Sequence, residues 1–275
     1  MLIRDVFRLY IIIFGKQTNK ISHKMKKIAL ITGATSGIGK STAIKFAENN
    51  YDLIITGRRK ERLEKISNEL KNKYGVEVLP LNFDIRNFEE VKEAVDNLPP
   101  EWKNIDVLVN NAGLAAGLET IQEGKLENWE RMIDTNIKGL LYISKMIMPL
   151  MIENGKGHII NIGSIAGKEV YPKGNIYCAT KHAVDALTKA MRIDLLPHKI
   201  KVSQIAPGAV ETEFSIVRLG DEEAAKKVYE GYEPLLPEDI AEVCYYVTTL
   251  PPHVNINDVL IMPTAQANAT QFHKK

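Results

Sequence analysis

Cysteine is scarce in this chain: Cys178 and Cys244 are the only two in 275 residues. Two are too few for a disulfide framework, so a reducing compartment, the cytoplasm, is the default expectation. Long apolar runs are missing too. The most hydrophobic stretch near the N-terminus, residues 9–14, is six residues long, where a bilayer span needs about 20 and a secretory core roughly 7–15 followed by small residues. No membrane partner is expected. A large charge of one sign is also absent, the formal net charge being +2. Five of the 36 basic and one of the 34 acidic side chains fall in residues 1–24, leaving 31 and 33 for the rest. A polyanion-binding body, and with it a nucleic-acid partner, is therefore not expected. His23, His158, His182, His198, His253 and His273 show no ligand spacing, so no metal is expected. What remains, 45% apolar and 25% charged, has enough apolar residues to offset the entropy of ordering and excludes disorder.

Residues 1–24 carry Arg4, Arg8, Lys16, Lys20 and Lys24 against Asp5 alone. Met25-Lys26-Lys27 stands directly before the first apolar run, as a start codon would. Residues 1–24 are therefore expected to be an upstream over-translation, with a targeting or disordered tail as the alternative, and to lie outside the fold.

From residue 25 short apolar runs alternate with amphipathic stretches. The runs are residues 28–32, 53–56, 76–81, 107–110, 159–162, 202–206 and 259–262. Between them lie helical patterns such as 60–73, where Leu63, Ile66 and Leu70 recur at three and four residues. Strands rich in Val and Ile without inside–outside alternation predict a sheet buried on both faces, with parallel strands joined by right-handed crossovers. The expectation is an α/β fold: one Rossmann-type, doubly wound domain over 25–275 with helices on both faces of the sheet. Residues 208–237 break the rhythm, being polar and charged with one short helical candidate near 222–229. Such an insertion is expected to be a substrate lid, the alternative being a plain surface excursion.

Thr32-Gly33-Ala34-Thr35-Ser36-Gly37-Ile38-Gly39 follows the first run and opens a helix. Glycines there permit a tight turn and close approach of backbone to a pyrophosphate, which rests on the helix N-terminus. NAD-binding versions usually place a carboxylate at the end of the second strand to hold the ribose 2′-hydroxyl. Here Gly57-Arg58-Arg59 supplies none. Two guanidiniums suit a 2′-phosphate, so NADP is the expected cofactor. Asp84 is placed to accept from the adenine amino group or, equally, to cap the helix expected over 87–95. Asn110-Asn111-Ala112-Gly113 ends the fourth run, where small residues and amides suit packing along a cofactor.

Tyr177 and Lys181 are four apart and share a helical face. With 10 tyrosines in the chain and lysine abundant, such a pair also arises by chance. Ser164 adds weight, since it would emerge at the carboxyl edge of the sheet, the edge that carries the glycine turn. Asn136 falls in a long helical stretch, where a buried amide needs partners. Cys178, beside Tyr177, is expected to be packed rather than reactive.

The ordered set TGxxxGIG, NNAG, Asn136, Ser164, YxxxK and Pro207-Gly208 resembles the short-chain dehydrogenase/reductase family over residues 25 to about 264. Further stretches resemble its NADP-dependent 3-hydroxy acid (serine, L-allo-threonine) dehydrogenases. They include Thr56-Gly57-Arg58-Arg59, Thr212-Glu213-Phe214-Ser215 with Val217-Arg218, and His253-Val254-Asn255-Ile256-Asn257.

The resemblance implies hydride transfer between C4 of nicotinamide and the carbinol carbon of a small 3-hydroxy acid. L-serine, L-allo-threonine and 3-hydroxyisobutyrate are the candidates, with the matching semialdehydes in reduction. Tyr177 would be the general base in oxidation and the acid in reduction. Bringing a phenol from a pKa near 10 to about 7 takes roughly 4 kcal/mol, which the Lys181 ammonium and the nicotinamide charge would supply. Lys181 would also hold the nicotinamide ribose, Ser164 the substrate oxygen, and Asn136 a proton-relaying water chain. Pro207-Gly208, with Val210 nearby, would pass along the nicotinamide, and Thr212 would lie near its carboxamide. The substrate acid needs a clamp, for which Arg218 is the candidate, a surface charge or intersubunit ion pair being its alternative role. The family likeness also implies a homotetramer packed through helices near 127–152 and 177–195. The competing functions are a broad NADPH carbonyl or dicarbonyl reductase and a non-catalytic NADP-sensing module.

Overall fold

Each of the seven apolar runs forms a strand in the computed structural model, which describes residues 26–275. The expectation for residues 1–24 falls outside the described residues. The strands are β1 Ile28–Ile31, β2 Asp52–Gly57, β3 Val78–Asn82, β4 Ile105–Asn110, β5 His158–Ile162, β6 Lys201–Pro207 and β7 Asp258–Ile261. All neighbours are parallel, in the order β3-β2-β1-β4-β5-β6-β7. Strands β1 and β5 are buried throughout. Alternation sends Ala29, Ile31, Ile55 and Val109 into one apolar core and Ile28, Leu30, Ile54 and Leu108 into another on the opposite face. Pro80 is tolerated because β3 is an edge strand, with no partner on its outer side among the described residues.

The crossovers are helical: α1 Gly37–Glu48, α2 Lys60–Tyr74, α3 Phe88–Asp96, α4 Leu126–Ile133, α5 Leu140–Glu153 and α6 Asn175–Asp194. As the spacing predicts, α2 buries Leu63, Ile66 and Leu70. The long helix expected over 127–152 is not uniform. A π-helical turn at Asp134–Gly139 separates α4 from α5, an irregularity often found at functional sites. The cap of α3 is Asn87, whose Oδ1 accepts from the amides of Glu89 and Glu90, which removes the capping alternative for Asp84.

Beyond β6 the chain forms α7 Glu213–Leu219, α8 Glu222–Val228 and α9 Pro237–Thr249. One helix was expected before α9, and there are two. Thr212 and Asp221 cap α7 and α8, and Gly220 between them takes φ 69°. At seven residues each, they are too short to show a period in sequence. After β7 the chain returns across the carboxyl edge of the sheet, where Gln266 is buried and Lys275 N–H donates to the Gly231 carbonyl at 2.9 Å. Strand order reverses between β1 and β4, and in such sheets that point opens a crevice at the strands' carboxyl ends. Among the described residues, no helix is long and apolar enough to cross a membrane.

Candidate active site

A cleft of about 540 Å³ opens at that crevice, running from Arg58 and Asp84 at one end to Ser164, Tyr177 and Arg218 at the other. Of the site residues expected from sequence, all but two line it. The exceptions are Gly39 and Asn136, which lie behind its wall.

The β1–α1 turn forms the floor. Gly33 and Gly37 take φ of 67° and 51°, a region that side chains rarely enter. Gly39 is excluded from having a side chain for a different reason: a Cβ there would stand 2.4 Å from the Gly33 carbonyl oxygen. The α1 N-terminus is free to meet an anion. Its cap residue, Ser36, makes no capping hydrogen bond, and the first turn holds no acidic side chain. Asn111 fastens the far wall by donating from Nδ2 to the Thr32 and Gly33 carbonyls, while Thr32 Oγ1 accepts from the amides of Asn111 and Ala112.

The two arginines after β2 are placed differently. Arg58 is more than half exposed and stands 3.8 Å from the Asp84 carboxylate. Arg59 is engaged, with Nε and Nη2 donating to Thr35 Oγ1 at 3.1 and 2.7 Å and Nη2 to Ser36 Oγ at 2.7 Å. Asp84 lines the cleft and accepts a bidentate pair of bonds from Arg86. Burial opposes its ionisation, but the Arg86 bonds outweigh burial and hold the carboxyl below its usual range. These walls fit a dinucleotide bearing an extra phosphate. The turn leaves room for a pyrophosphate, and Arg58, Arg59 and Ser36 offer donors where NAD-type sites carry a carboxylate.

At the other end, Ser164 follows β5 and its Oγ accepts from the Ala166 amide at 3.1 Å, so it is a cap and a cleft residue at once. On α6, Lys181 is buried; its Nζ donates to the Ile162 carbonyl at 2.8 Å and lies 5.9 Å from the Tyr177 ring centre. Burial alone brings the Lys181 pKa down to about 8. Tyr177 moves the other way. Its surroundings push the phenol up, burial first and the neighbouring Tyr171 second, against smaller opposing effects from the Ser164 hydroxyl and Arg218. The protein by itself thus holds Tyr177 as a protonated acid. The lowering expected from Lys181 is not supplied at this geometry. Cys178 is buried, and burial raises its thiol pKa as well, in keeping with a packed rather than reactive side chain.

Asn136 emerges from the π turn. Its Oδ1 accepts from Leu114 N–H and its Nδ2 donates to the Leu114 carbonyl and to Thr180 Oγ1. Arg218, in the last turn of α7, donates from Nη1 to the Tyr171 hydroxyl at 2.9 Å, and its guanidinium carbon lies 5.4 and 5.6 Å from the Tyr171 and Tyr177 ring centres. Its Nη2 is buried with no hydrogen-bond partner among the described residues. Phe214, one turn earlier, packs its ring edge-on to Tyr177 at 5.6 Å.

Pattern reading missed several contributors. Tyr171 sits in a loop whose sequence has no period, and Leu114 acts only through its backbone. Gln266, whose Oε1 accepts from Ala209 N–H at 2.8 Å and so holds the turn after Pro207, comes from the returning tail, as do Ala269 and Phe272 in the cleft wall. Nothing in the tail's sequence announces that return. A Cβ on Gly113 would stand 3.2 Å from Asn136 Oδ1, so the Gly of NNAG is the signal that a close approach was needed. Among the described residues, no cluster of His, Cys, Asp and Glu is arranged to hold a metal ion.

Comparison with known proteins gives a consistent picture. The family described as short chain dehydrogenase matches residues 27–222. An NADP-dependent 3-hydroxy acid dehydrogenase of Salmonella typhi is 49% identical over 244 residues, spanning 88% of this chain and 97% of that protein. Sulfoacetaldehyde reductase 2 of Chromohalobacter salexigens is 44% identical over 245 residues, spanning 88% and 96%. Among solved structures, the closed form of serine dehydrogenase complexed with NADP+ superposes with a TM-score of 0.84 at 45% identity, covering 90% of this chain and all of that one.

Proposed function

The chain belongs to the short-chain dehydrogenase family, and from that premise we infer that it is an NADP-dependent oxidoreductase acting on the 3-hydroxyl of small 3-hydroxy acids. The observation that carries the substrate class is Arg218: a guanidinium set against the Tyr177 ring, with a buried Nη2 that has no hydrogen-bond partner among the described residues. In a 3-hydroxy acid the carboxyl carbon is two bonds from the carbinol carbon, so one small molecule can engage Tyr177 and Arg218 together. A carboxylate would take Nη2 and the Tyr171 hydroxyl by charge-assisted bonds. The sulfonate substrate named for the Chromohalobacter relative is an anion of the same reach.

When bound, the nicotinamide supplies the hydride carrier and, in its oxidised form, a positive charge in the cleft. The protein's share is proton transfer and placement. Tyr177 Oη gives its proton to the substrate oxygen in reduction and takes it back in oxidation. Ser164 Oγ donates to that oxygen. Lys181, fixed by the Ile162 carbonyl, holds the nicotinamide ribose, and Asn136 supports the water chain that exchanges protons with solvent. The glycine turn carries the pyrophosphate, Arg58 and Arg59 the 2′-phosphate, and Asp84 the adenine amino group. Asn111, Ala112, Gly113, Pro207, Gly208, Val210 and Thr212 shape the walls, and residues 208–237 form the lid.

We also propose a cytoplasmic homotetramer. Leu126, Ile133, Leu141 and Ile152 on α4 and α5, with Ile193 at the end of α6 and Leu196 just beyond it, are exposed apolar side chains on the helices that would pack between subunits.

The test is initial rates of NADPH formation with L-serine, L-allo-threonine, 3-hydroxyisobutyrate and a neutral secondary alcohol, NADP+ and NAD+ run in parallel. Oxidation of the acids with NADP+, and little of the neutral alcohol, is expected. Comparable rates on the alcohol would move the function to a general carbonyl reductase.

A further inference from the structure

The lid and the 2′-phosphate site share one ion cluster. Glu213, the first residue of α7, accepts from Arg59 Nη1 at 3.0 Å and from Arg62 Nη1 through both carboxylate oxygens, at 3.0 and 3.1 Å. The remaining bonds of Arg59 go to Thr35 and Ser36 of the glycine turn. A single guanidinium therefore joins the cofactor floor to the lid. The contact continues beside it, where the Thr212 methyl would lie 3.3 Å from a Cβ on Gly37.

Helix α7 is short, and its two ends do different work. Glu213 stands at the start, Phe214 packs on Tyr177, and Arg218 in the last turn meets Tyr171. Anything that sets the start of α7 also sets the substrate cation at its end. We propose that Glu213 is a specificity-positioning residue: through Arg59 it makes the order of the lid helix, and so substrate binding, depend on the 2′-phosphate of the cofactor. The inference rests on the NADP and lid readings above.

Two physical points support this sign of coupling. The side chains of Glu213, Arg59 and Arg62 are 46%, 42% and 51% exposed, and exposed ion pairs hold little by themselves. A lid held this way sits near balance, and fixing Arg59 from its other side with a phosphate lowers the ordering cost of Glu213's grip. Secondly, Arg62 gives Glu213 two bonds and lines no part of the cleft. It stays to offset the repulsion between the carboxylate and an incoming phosphate. Burial opposes ionisation of Glu213, but its bond from Arg59 and the two guanidinium charges outweigh that and keep it an anion.

The experiment is hydrogen exchange of residues 213–219 in full-length protein, alone and with saturating NADP+ or NAD+, for wild type, Glu213→Gln and Arg62→Gln. In wild type, NADP+ is expected to slow exchange in α7 by up to about 5-fold more than NAD+, the reach of an exposed ion pair. Glu213→Gln is expected to erase that difference, and Arg62→Gln to reduce it, while both variants keep cofactor protection of residues 33–39. Equal slowing by the two cofactors in wild type would overturn the proposal. So would faster exchange with NADP+, meaning the phosphate displaces Glu213, or a difference that survives Glu213→Gln. Missing protection of 33–39 would instead overturn the cofactor reading, and the coupling with it. As a second readout, the hydroxy acid KM should be lower with NADP+ than with NAD+ in wild type, and the two should converge in Glu213→Gln.

Discussion

Asn136 and Leu114 exchange two hydrogen bonds, Leu114 N–H donating to Oδ1 and Nδ2 donating to the Leu114 carbonyl, each at 2.8 Å. The π turn swings the amide out of the helix and against the backbone that follows β4, and Thr180 of α6 completes the set. One side chain thus pins the helix carrying Tyr177 and Lys181 to the loop beneath the cofactor cleft.

Asn136→Ala leaves the buried N–H and C=O of Leu114 unpaired, at about 1–3 kcal/mol each. Thermal unfolding should shift down by about 2–4 °C for each kcal/mol lost, and kcat should fall with it as α6 loosens. A melting temperature unchanged from wild type would mean that water replaces the amide and that Asn136 does not hold this junction.

Tyr177 and Lys181 have pKa values moved in opposite directions by the same burial, and this separates catalysis from stability. Tyr177→Phe should lower kcat by about 10²–10⁴-fold, the usual contribution of a positioned acid or base. Lys181→Met should also abolish turnover, yet melt no lower than wild type at neutral pH. The folded-state pKa of Lys181, about 8, lies below its ordinary 10.5. Below pH 8 both states are charged and the fold bears the desolvation. Between about 8 and 10.5 the unfolded chain holds a proton that the fold does not, so wild-type stability from this group rises with pH. The advantage of Lys181→Met should therefore shrink above pH 8 in melts taken from pH 7 to 10.5. A constant or widening gap would contradict the burial account.

The contrast between what the sequence discloses and what it hides is clear in these residues. The seven strands are legible because a sheet covered on both faces needs unbroken Val/Ile runs, and the glycine turn because backbone at positive φ and close approach exclude side chains. Lys181 is legible by its spacing from Tyr177. The partner of Asn136 is not, because Leu114 offers a backbone that any residue has. Tyr171 and Gln266 are hidden for another reason: each reaches the cleft from an irregular segment placed by tertiary packing, which leaves no period. The length of α7 and α8 hid one of them, and the π turn is a register change that apolar spacing does not report.

His158, at the start of β5, is buried with Nε2 2.8 Å from Ser203 Oγ, whose own proton goes to the Ile256 carbonyl. Ser203 therefore accepts, and His158 is neutral with the proton on Nε2. Burial first, and then the charge of Lys201, bring its pKa down to about 3. Between 6.5 and about 3 the unfolded chain binds a proton that the fold refuses, so stability falls as the pH drops, at up to about 1.4 kcal/mol per pH unit. His158→Gln keeps a donor toward Ser203 without the titration. Its melting temperature should decline less than that of wild type between pH 7 and 4.5, and parallel declines would exclude His158 as the source.

Arg218 is where the substrate class is decided. If Nη2 and the Tyr171 hydroxyl take the carboxylate, Arg218→Ala removes charge-assisted bonds worth about 1.5–3 kcal/mol each. The KM for the preferred hydroxy acid should then rise by about 10- to 100-fold. The change should be confined to acids, because a neutral alcohol makes no such bond, and Tyr171→Phe should give the same pattern at smaller size. The affinity for NADPH, read by fluorescence titration, should hold, since Arg218 sits at the opposite end of α7 from the glycine turn. Arg218→Lys separates charge from shape: it restores a cation without the planar fork, and so should recover only part of the KM. An unchanged acid KM in Arg218→Ala would leave the guanidinium as a packing partner of Tyr171 and Tyr177 and return the specificity question to the apolar wall of Phe214 and Val217.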